Sequence, residues 1–193
     1  MNVPDRDVLT HRLQAALAKG SRKAVQIDGF HHAGVLVPLV WMGTGYELLF
    51  TKRTDIVETH KGQISFPGGM VDEGDADIVQ TALRETEEEL GITHEAVRVL
   101  GMLDDFPMPS GFVITPVVGV IERLPALTPN AEEVADVFRV PLAFFADPAS
   151  GRSEMREFRG TPHEVWFYQR GPHNIWGATA MIIRLLLKEL TLL

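Results

Sequence analysis

Apolar residues recur along this chain in two rhythms. Val79, Leu83, Thr86 and Leu90 are spaced by 4, 3 and 4 positions, which places them in one stripe along a helix. His32 to Trp41 (HAGVLVPLVW) is instead a near-continuous apolar run, and it reads as a strand. Met42 to Tyr46 forms a glycine-bearing turn, and Glu47 to Arg53 (ELLFTKR) is the partner strand. Val97 to Leu103 and Gly111 to Glu122 predict two further strands, joined by a proline-bearing loop from Asp104 to Ser110. Pro141 to Ala146 is a short helix or turn. Ser153 to Arg159 and His163 to Gln169 look like two strands. Residues 7–18 form a short amphipathic helix with Val8, Leu9, Leu13 and Leu17 inward. Asn174 to Leu190 is the closing helix, burying Ile175, Met181, Ile182, Leu185, Leu186 and Leu190. It should pack on the sheet opposite the helix around Leu83, which gives an α/β/α sandwich.

The central helix carries its own stop signals. Asp77 is a plausible N-cap, with Gln80 three residues on completing a capping box, and Asp75 is a competing cap. Gly91 sits where a left-handed residue would end the helix. Glu85, Glu88 and Glu89 are related as i, i+3 and i+4, so they share a face turned away from the apolar stripe, and Glu87 falls outside it. Like charges at that spacing, near a helix C-terminus, are unfavourable. Arg84 offsets part of the conflict, and a hard divalent cation such as Mg²⁺ or Mn²⁺ would remove it. A solvated acidic face is the alternative reading of the string alone.

Composition narrows the class. The chain has 193 residues and 45% hydrophobic content, enough for a proper core. One domain spanning 1–193 is expected, with residues 1–25 as an N-terminal helical extension. A net charge of −8 argues against a general nucleic-acid binder. The absence of cysteine excludes disulfides, thiolate metal sites and a cysteine nucleophile. The N-terminus has no apolar signal core, and no stretch approaches the ~20 apolar residues of a membrane span, so the cytoplasm is the expected compartment. Lys19 to Lys23 is a basic loop, read either as cations favouring a helix C-terminus or as a reach toward a substrate phosphate. The GTG at Gly43 lacks the rest of a dinucleotide fingerprint.

Gly69, Arg84, Glu85, Glu88, Glu89, Gly91 and Ile92 resemble the Nudix box, Gly-x5-Glu-x7-Arg-Glu-U-x-Glu-Glu-x-Gly-U, where U is apolar. Three departures stand out. Asp75 occupies the first glutamate's place, the gap from it to Arg84 is one residue too long, and Thr86 fills the first apolar slot. The stretch Leu48 to Gly69 (LLFTKRTDIVETHKGQISFPGG) resembles a second signature, found in the coenzyme A diphosphohydrolase subgroup, through Leu48, Leu49, Thr51, Arg53, His60, Gly62, Gln63, Ser65, Phe66, Pro67, Gly68 and Gly69. That subgroup tolerates an aspartate and a slightly lengthened box.

The resemblance implies a Nudix-type α/β/α sandwich with a mixed central sheet and the box helix on one face. It implies Mg²⁺ or Mn²⁺ held by Glu85, Glu88, Glu89 and the Gly69 carbonyl, with Arg84 orienting the carboxylates. It implies a small-molecule nucleoside diphosphate derivative of the coenzyme A class as substrate, contacted by Arg53, His60, Lys61, Gln63 and Phe66. From spacing alone, Arg53 reads equally as a surface charge or as a fork for phosphate oxygens. Glu85 or a late acid, Glu133, is a candidate for accepting the proton of the attacking water, and Glu133 reads otherwise as a turn or helix-start acid. Phe106, Met108 and Phe112 are read either as a stacking surface for adenine or pantetheine or as satellite core. A homodimer is compatible with the sequence. Two other readings remain: a Nudix hydrolase of ADP-ribose, dinucleotides or nucleoside triphosphates, and a non-catalytic nucleotide sensor.

Overall fold

The structure, a computed structural model, describes residues 6–19, 22–54, 62–158 and 160–191. It opens with α1 (Arg6–Lys19), followed by β1 (His31–Trp41) and β2 (Tyr46–Arg53). Two short strands come next, β3 (Ile64–Ser65) and β4 (Gly68–Met70), and then α2 (Ile78–Leu90). β5 (Arg98–Met102), β6 (Phe106–Met108), β7 (Phe112–Ile121) and β8 (Val134–Pro141) follow, with a single turn of helix, α3 (Leu142–Phe145). The chain ends in β9 (Gly151–Phe158), β10 (Thr161–Arg170), β11 (His173–Trp176) and α4 (Gly177–Glu189).

The central sheet is mixed. β1 and β7 run parallel through ten pairs, from His31 opposite Phe112 to Val40 opposite Ile121. All other pairs in it are antiparallel. β1 and β2 pair only between Leu39–Trp41 and Tyr46–Leu48, then part. The segment Ile64–Met70 fills the gap, with β3 on the end of β2 and β4 on the start of β1. β8 takes the other edge of β2, and β5 and β6 take the other edge of β7. β9, β10 and β11 form a separate three-stranded sheet.

Side-chain alternation gives the central sheet two apolar faces. Leu36 and Val40 of β1 and Val117 and Ile121 of β7 pack with Ala82 and Leu90 of α2. Val37, Leu39, Val118 and Val120 point the other way, to Leu9 and Leu13 of α1 and to Ile182, Ile183, Leu186 and Leu187 of α4. Helices therefore cover both faces, as the sequence implied. Among the described residues, no helix is long and apolar enough to cross a membrane.

Three local expectations are corrected, and one strand is added. Val8 is 45% exposed, so α1 buries only Leu9 and Leu13 fully. The stretch Asp104–Ser110 is not all loop: β6 inside it pairs with β7, with Pro107 on that edge, where a missing N–H costs little. Asn174–Trp176 belongs to β11, so Ile175 is buried from a strand, and the helix starts at Gly177, whose φ of +63° breaks the run. Val134–Pro141, to which no element was assigned from the sequence, is strand β8.

Candidate active site

α2 begins and ends where its caps place it. The Asp77 carboxylate accepts the Gln80 N–H at 2.9 Å, and the Gln80 side chain reaches back to the Ala76 N–H at 2.7 Å. Gly91, at φ 71°, returns its N–H to the Glu87 carbonyl. Thr86 fits its buried slot by donating its hydroxyl to the Ala82 carbonyl at 2.6 Å.

Glycines let the helix sit against β1 and β4. A Cβ on Gly34 would lie 2.6 Å from the Ile78 carbonyl oxygen. Gly34 pairs with Gly69, and Gly68 pairs with Val35. A Cβ on Gly68 would meet the Gly34 oxygen at 2.4 Å, and one on Gly69 would meet the Glu85 carboxyl carbon at 2.4 Å. The Glu85 carboxylate therefore rests directly on the Gly69 backbone.

The acids differ in environment. Glu88 is exposed, and Arg84 Nη1 donates to it at 3.0 Å and to Glu85 at 2.9 Å. Burial pushes the pKa of Glu85 up; Arg84 opposes this, and the charges of Glu88 and Glu133 add to it. Glu89 is only 4% exposed. Burial pushes its pKa up to about 8; the Arg53 charge opposes this, Glu133 and Glu85 reinforce it, and a hydrogen bond from the Gly68 N–H opposes it. The alternative reading of a solvated acidic face thus fails at Glu89. Residues 128–130, just before β8, close the end of the helix: the Asn130 N–H donates to the Glu89 backbone carbonyl, and the Thr128 N–H donates to that of Leu90.

Arg84 is turned inward as an organiser. Its Nε and Nη2 clasp Asp75 at 2.9 and 3.1 Å, and Nη2 also donates to the Met70 carbonyl at 3.2 Å. Asp75 further accepts from the Thr81 hydroxyl and the Asp72 N–H. Arg84 holds the Asp75 carboxyl well below the usual carboxylate range, and Asp75 in turn raises the guanidinium pKa. Asp75 is thus the anchor of the arginine, a role not assigned from the sequence, which offered it as a competing cap and as the residue in the first box glutamate's place. Gly34 was missed as well; its signal was a lone glycine inside a strand.

The other expected contacts divide. Arg53 ends β2 close enough for its charge to act on Glu89, and its Nε is buried without a hydrogen-bond partner among the described residues. Glu133 acts electrostatically on both Glu85 and Glu89, and it is held by Asn130 Nδ2 at 3.1 Å. The Gln63 carbonyl accepts the Arg53 N–H. Phe66 is a correction: it is 2% exposed and stacks on Phe50 at 4.9 Å within the core, so it offers no surface to a substrate. His60 and Lys61 lie outside the described residues. In the basic loop, Arg22 reaches neither a helix end nor the acids; it forks onto Asp105 at 2.9 and 3.0 Å. Phe112 packs its ring against His31 at 5.7 Å.

The donor chemistry fits a hard divalent cation. Glu89 Oε2 is buried with no hydrogen-bond partner among the described residues, a costly condition for a carboxylate oxygen unless something positive meets it. The carboxylates are not gathered in advance, since no three acidic or histidine side chains converge on one point among the described residues. Glu85 and Glu88 rest on Arg84 instead.

Residues 30–170 match the NUDIX domain model. A Photorhabdus laumondii protein named uncharacterized Nudix hydrolase NudL is 40% identical over 162 residues, which is 84% of this chain and 86% of that protein. A Klebsiella pneumoniae protein of the same name is 38% identical over 180 residues, 92% of this chain and 91% of the relative. Among solved structures, the Nudix hydrolase RenU of M. smegmatis superposes with a TM-score of 0.52 at 22% identity, over 64% of this chain and 78% of that one. With the box helix, its glycine cradle and its carboxylates in place, the chain belongs to the Nudix family and is a hydrolase acting on diphosphate linkages.

Proposed function

We propose that this enzyme cleaves the diphosphate of coenzyme A or an acyl-CoA, using water to release phosphopantetheine, or its acylated form, and adenosine 3′,5′-bisphosphate. The observation that carries the reading is the Leu48–Gly69 signature together with its course in the fold. It runs along β2 to Arg53, and from Gln63 through β3 to Gly68 and Gly69, which touch Glu89 and Glu85.

Glu85, Glu88, Glu89 and the Gly69 carbonyl are the groups we assign to holding Mg²⁺ or Mn²⁺. When bound, such an ion neutralises charge on phosphoryl oxygens and lowers the pKa of water. The chain's own residues do the rest. Arg84, anchored on Asp75, fixes the directions of Glu85 and Glu88 without touching substrate. Arg53 supplies a cation at the mouth of the acidic cluster, suited to a phosphate oxygen. Glu85 or Glu133 accepts the proton of the attacking water; burial already raises the pKa of Glu85, which improves it as a base near neutral pH.

The test is a product assay with Mg²⁺ or Mn²⁺ and, separately, coenzyme A, acetyl-CoA, ADP-ribose and NADH. Release of adenosine 3′,5′-bisphosphate at the highest kcat/KM supports the reading. Preference for ADP-ribose or NADH assigns the enzyme to those substrates instead. A Glu88→Gln or Glu89→Gln protein with full turnover would overturn the assigned carboxylate roles.

A further inference from the structure

β9 is the outer strand of the three-stranded sheet β11–β10–β9. It pairs with β10 along its whole length, from Gly151 opposite Tyr168 to Phe158 opposite Thr161. Among the described residues, no strand covers its other side. The edge is exposed from Arg152 to Phe158 except for the half-buried Glu154, and it displays Met155 at 68% exposure and Phe158 at 43%. A long exposed edge carrying apolar side chains is a template for another strand.

The sequence of that edge, Arg152-Ser153-Glu154-Met155-Arg156-Glu157-Phe158, is complementary to itself in one register. In an antiparallel pair, directly opposed side chains lie on the same face. A two-fold axis through Met155 sets Met155 against Met155 of a second copy. It sets Glu154 against Arg156, Ser153 against Glu157 and Arg152 against Phe158, each pairing occurring twice. Moving the axis to Glu154 puts Glu154 against Glu154 and Arg152 against Arg156, and like charges directly opposite are destabilising. Moving it to Arg156 puts arginine against arginine. Charge therefore selects the Met155 register from its neighbours.

The side chains involved are already ordered on one face. Arg152 and Arg156 both contact Glu154. Their guanidinium carbons lie 4.6 and 4.7 Å from the centre of the Phe167 ring on β10. Ordering them against a partner costs less entropy than it would from a free surface.

We propose that this face is a homodimer interface in which β9 pairs antiparallel with β9 of a second copy about a two-fold axis at Met155, joining two three-stranded sheets into one of six strands. The contact is isologous, so it closes at the dimer and does not propagate.

Sedimentation velocity of the full chain, over about 1 to 200 μM because a strand-edge contact is small, should show a concentration-dependent monomer–dimer equilibrium. Glu154→Arg sets like charges opposite each other and should weaken the dimer at least about tenfold. The swap Glu154→Arg with Arg156→Glu restores opposite charges in the same register and should restore the dimer. Because the chain has no cysteine, a single Met155→Cys gives an unambiguous cross-link. Under mild oxidation it should yield a covalent dimer. Ser153→Cys should not, because the two copies of that residue sit four positions apart along the strand, about 13 Å. A wild-type monomer at every concentration overturns the proposal. So does a dimer indifferent to Glu154→Arg, or equal cross-linking at both cysteine positions.

Discussion

Replacing Gly69 with alanine adds one methyl group at the point where β4 meets α2. The new Cβ would stand 2.4 Å from the Glu85 carboxyl carbon and 2.5 Å from each of its oxygens. Gly69 is not among the residues with positive φ, so alanine takes up its backbone without strain. The carboxylate is the far end of a flexible side chain and must yield. Ordinary contact begins near 3.4 Å, so the group withdraws by about 1 Å. A displacement of about 1 Å at a reacting centre costs on the order of 100-fold in rate. Stability should suffer much less, because the movement endangers one hydrogen bond, from Arg84 Nη1, worth about 1 kcal/mol. In a chain of this size that is a fall in Tm of roughly 2–4 °C.

Gly68→Ala is the contrasting control. Its Cβ would meet the Gly34 oxygen at 2.4 Å and the Val35 Cα at 2.5 Å, both backbone, and its φ of +149° disfavours any side chain. It should lose several kcal/mol and unfold well before the wild type. The assay is steady-state hydrolysis of the preferred substrate at saturating Mg²⁺, with melting curves on the same samples. Near-wild-type kcat in a folded Gly69→Ala protein would refute the assignment of Glu85 at that position. Unfolding equal to that of Gly68→Ala would refute the claim that only a side chain stands in the way.

Asp75→Asn should destabilise the enzyme by about 1–3 kcal/mol at neutral pH, since it weakens a charged anchor that Arg84 itself shields from solvent. The folded-state pKa of Asp75 is depressed, so its stabilisation is full above the unfolded value and is lost as pH falls toward the folded one; melting curves of the two proteins should begin to converge below about pH 4 and meet only well below that. Glu89→Gln should abolish turnover yet stabilise the metal-stripped protein. Its pKa is raised to about 8, so the stripped wild type should lose stability as pH climbs from the ordinary carboxylate range to that value, by an amount on the order of a few kcal/mol, while the glutamine variant stays flat. Denaturation in excess chelator across that pH range checks it, and parallel curves would refute it. Arg53→Ala should lower kcat/KM about 10- to 100-fold through loss of a charge-assisted phosphate contact, with partial recovery in Arg53→Lys; an unchanged kcat/KM would return Arg53 to a purely structural role.

What was legible in the sequence was what neighbouring residues decide. α2 could be placed because Asp77, Gln80 and Gly91 define its ends locally. β1 and β7 could be placed because long buried strands leave continuous apolar runs. The errors fall where distant segments decide. A helical wheel turns Glu89 away from the apolar stripe, but the fold buries it, with the Gly68 N–H against its carboxylate. Phe66 sits in a signature among polar residues and glycines that surround the site, yet the sheet directs it onto Phe50. Val134–Pro141 lacks clean alternation because only Val134 and Val140 are fully buried. Asn174–Trp176 continues the pattern of the following helix, and only the left-handed Gly177 separates them. Arg22 finds Asp105 across 83 positions, a pairing no local pattern can announce.

Two departures from the box meet at Asp75. Aspartate is one methylene shorter than the glutamate usual there, so its backbone must come closer for the carboxylate to reach the arginine. The extra residue falls after it, between Asp75 and Arg84, where the chain enters α2. Ahead of it, a tight turn is closed by the Asp75 N–H on the Asp72 carbonyl and by the Asp75 carboxylate on the Asp72 N–H. The turn carries the Asp75 backbone toward α2, where the short side chain meets Nε and Nη2 of Arg84 together and takes the Thr81 hydroxyl as well. A shorter side chain has fewer rotamers to freeze, so the clasp is bought at lower entropy than a glutamate would require. Arg84, fixed from that side, has Nη1 left for Glu85 and Glu88. Nothing in that arrangement reaches Glu89, whose unmet oxygen is the strongest single mark that the cluster is built for a cation.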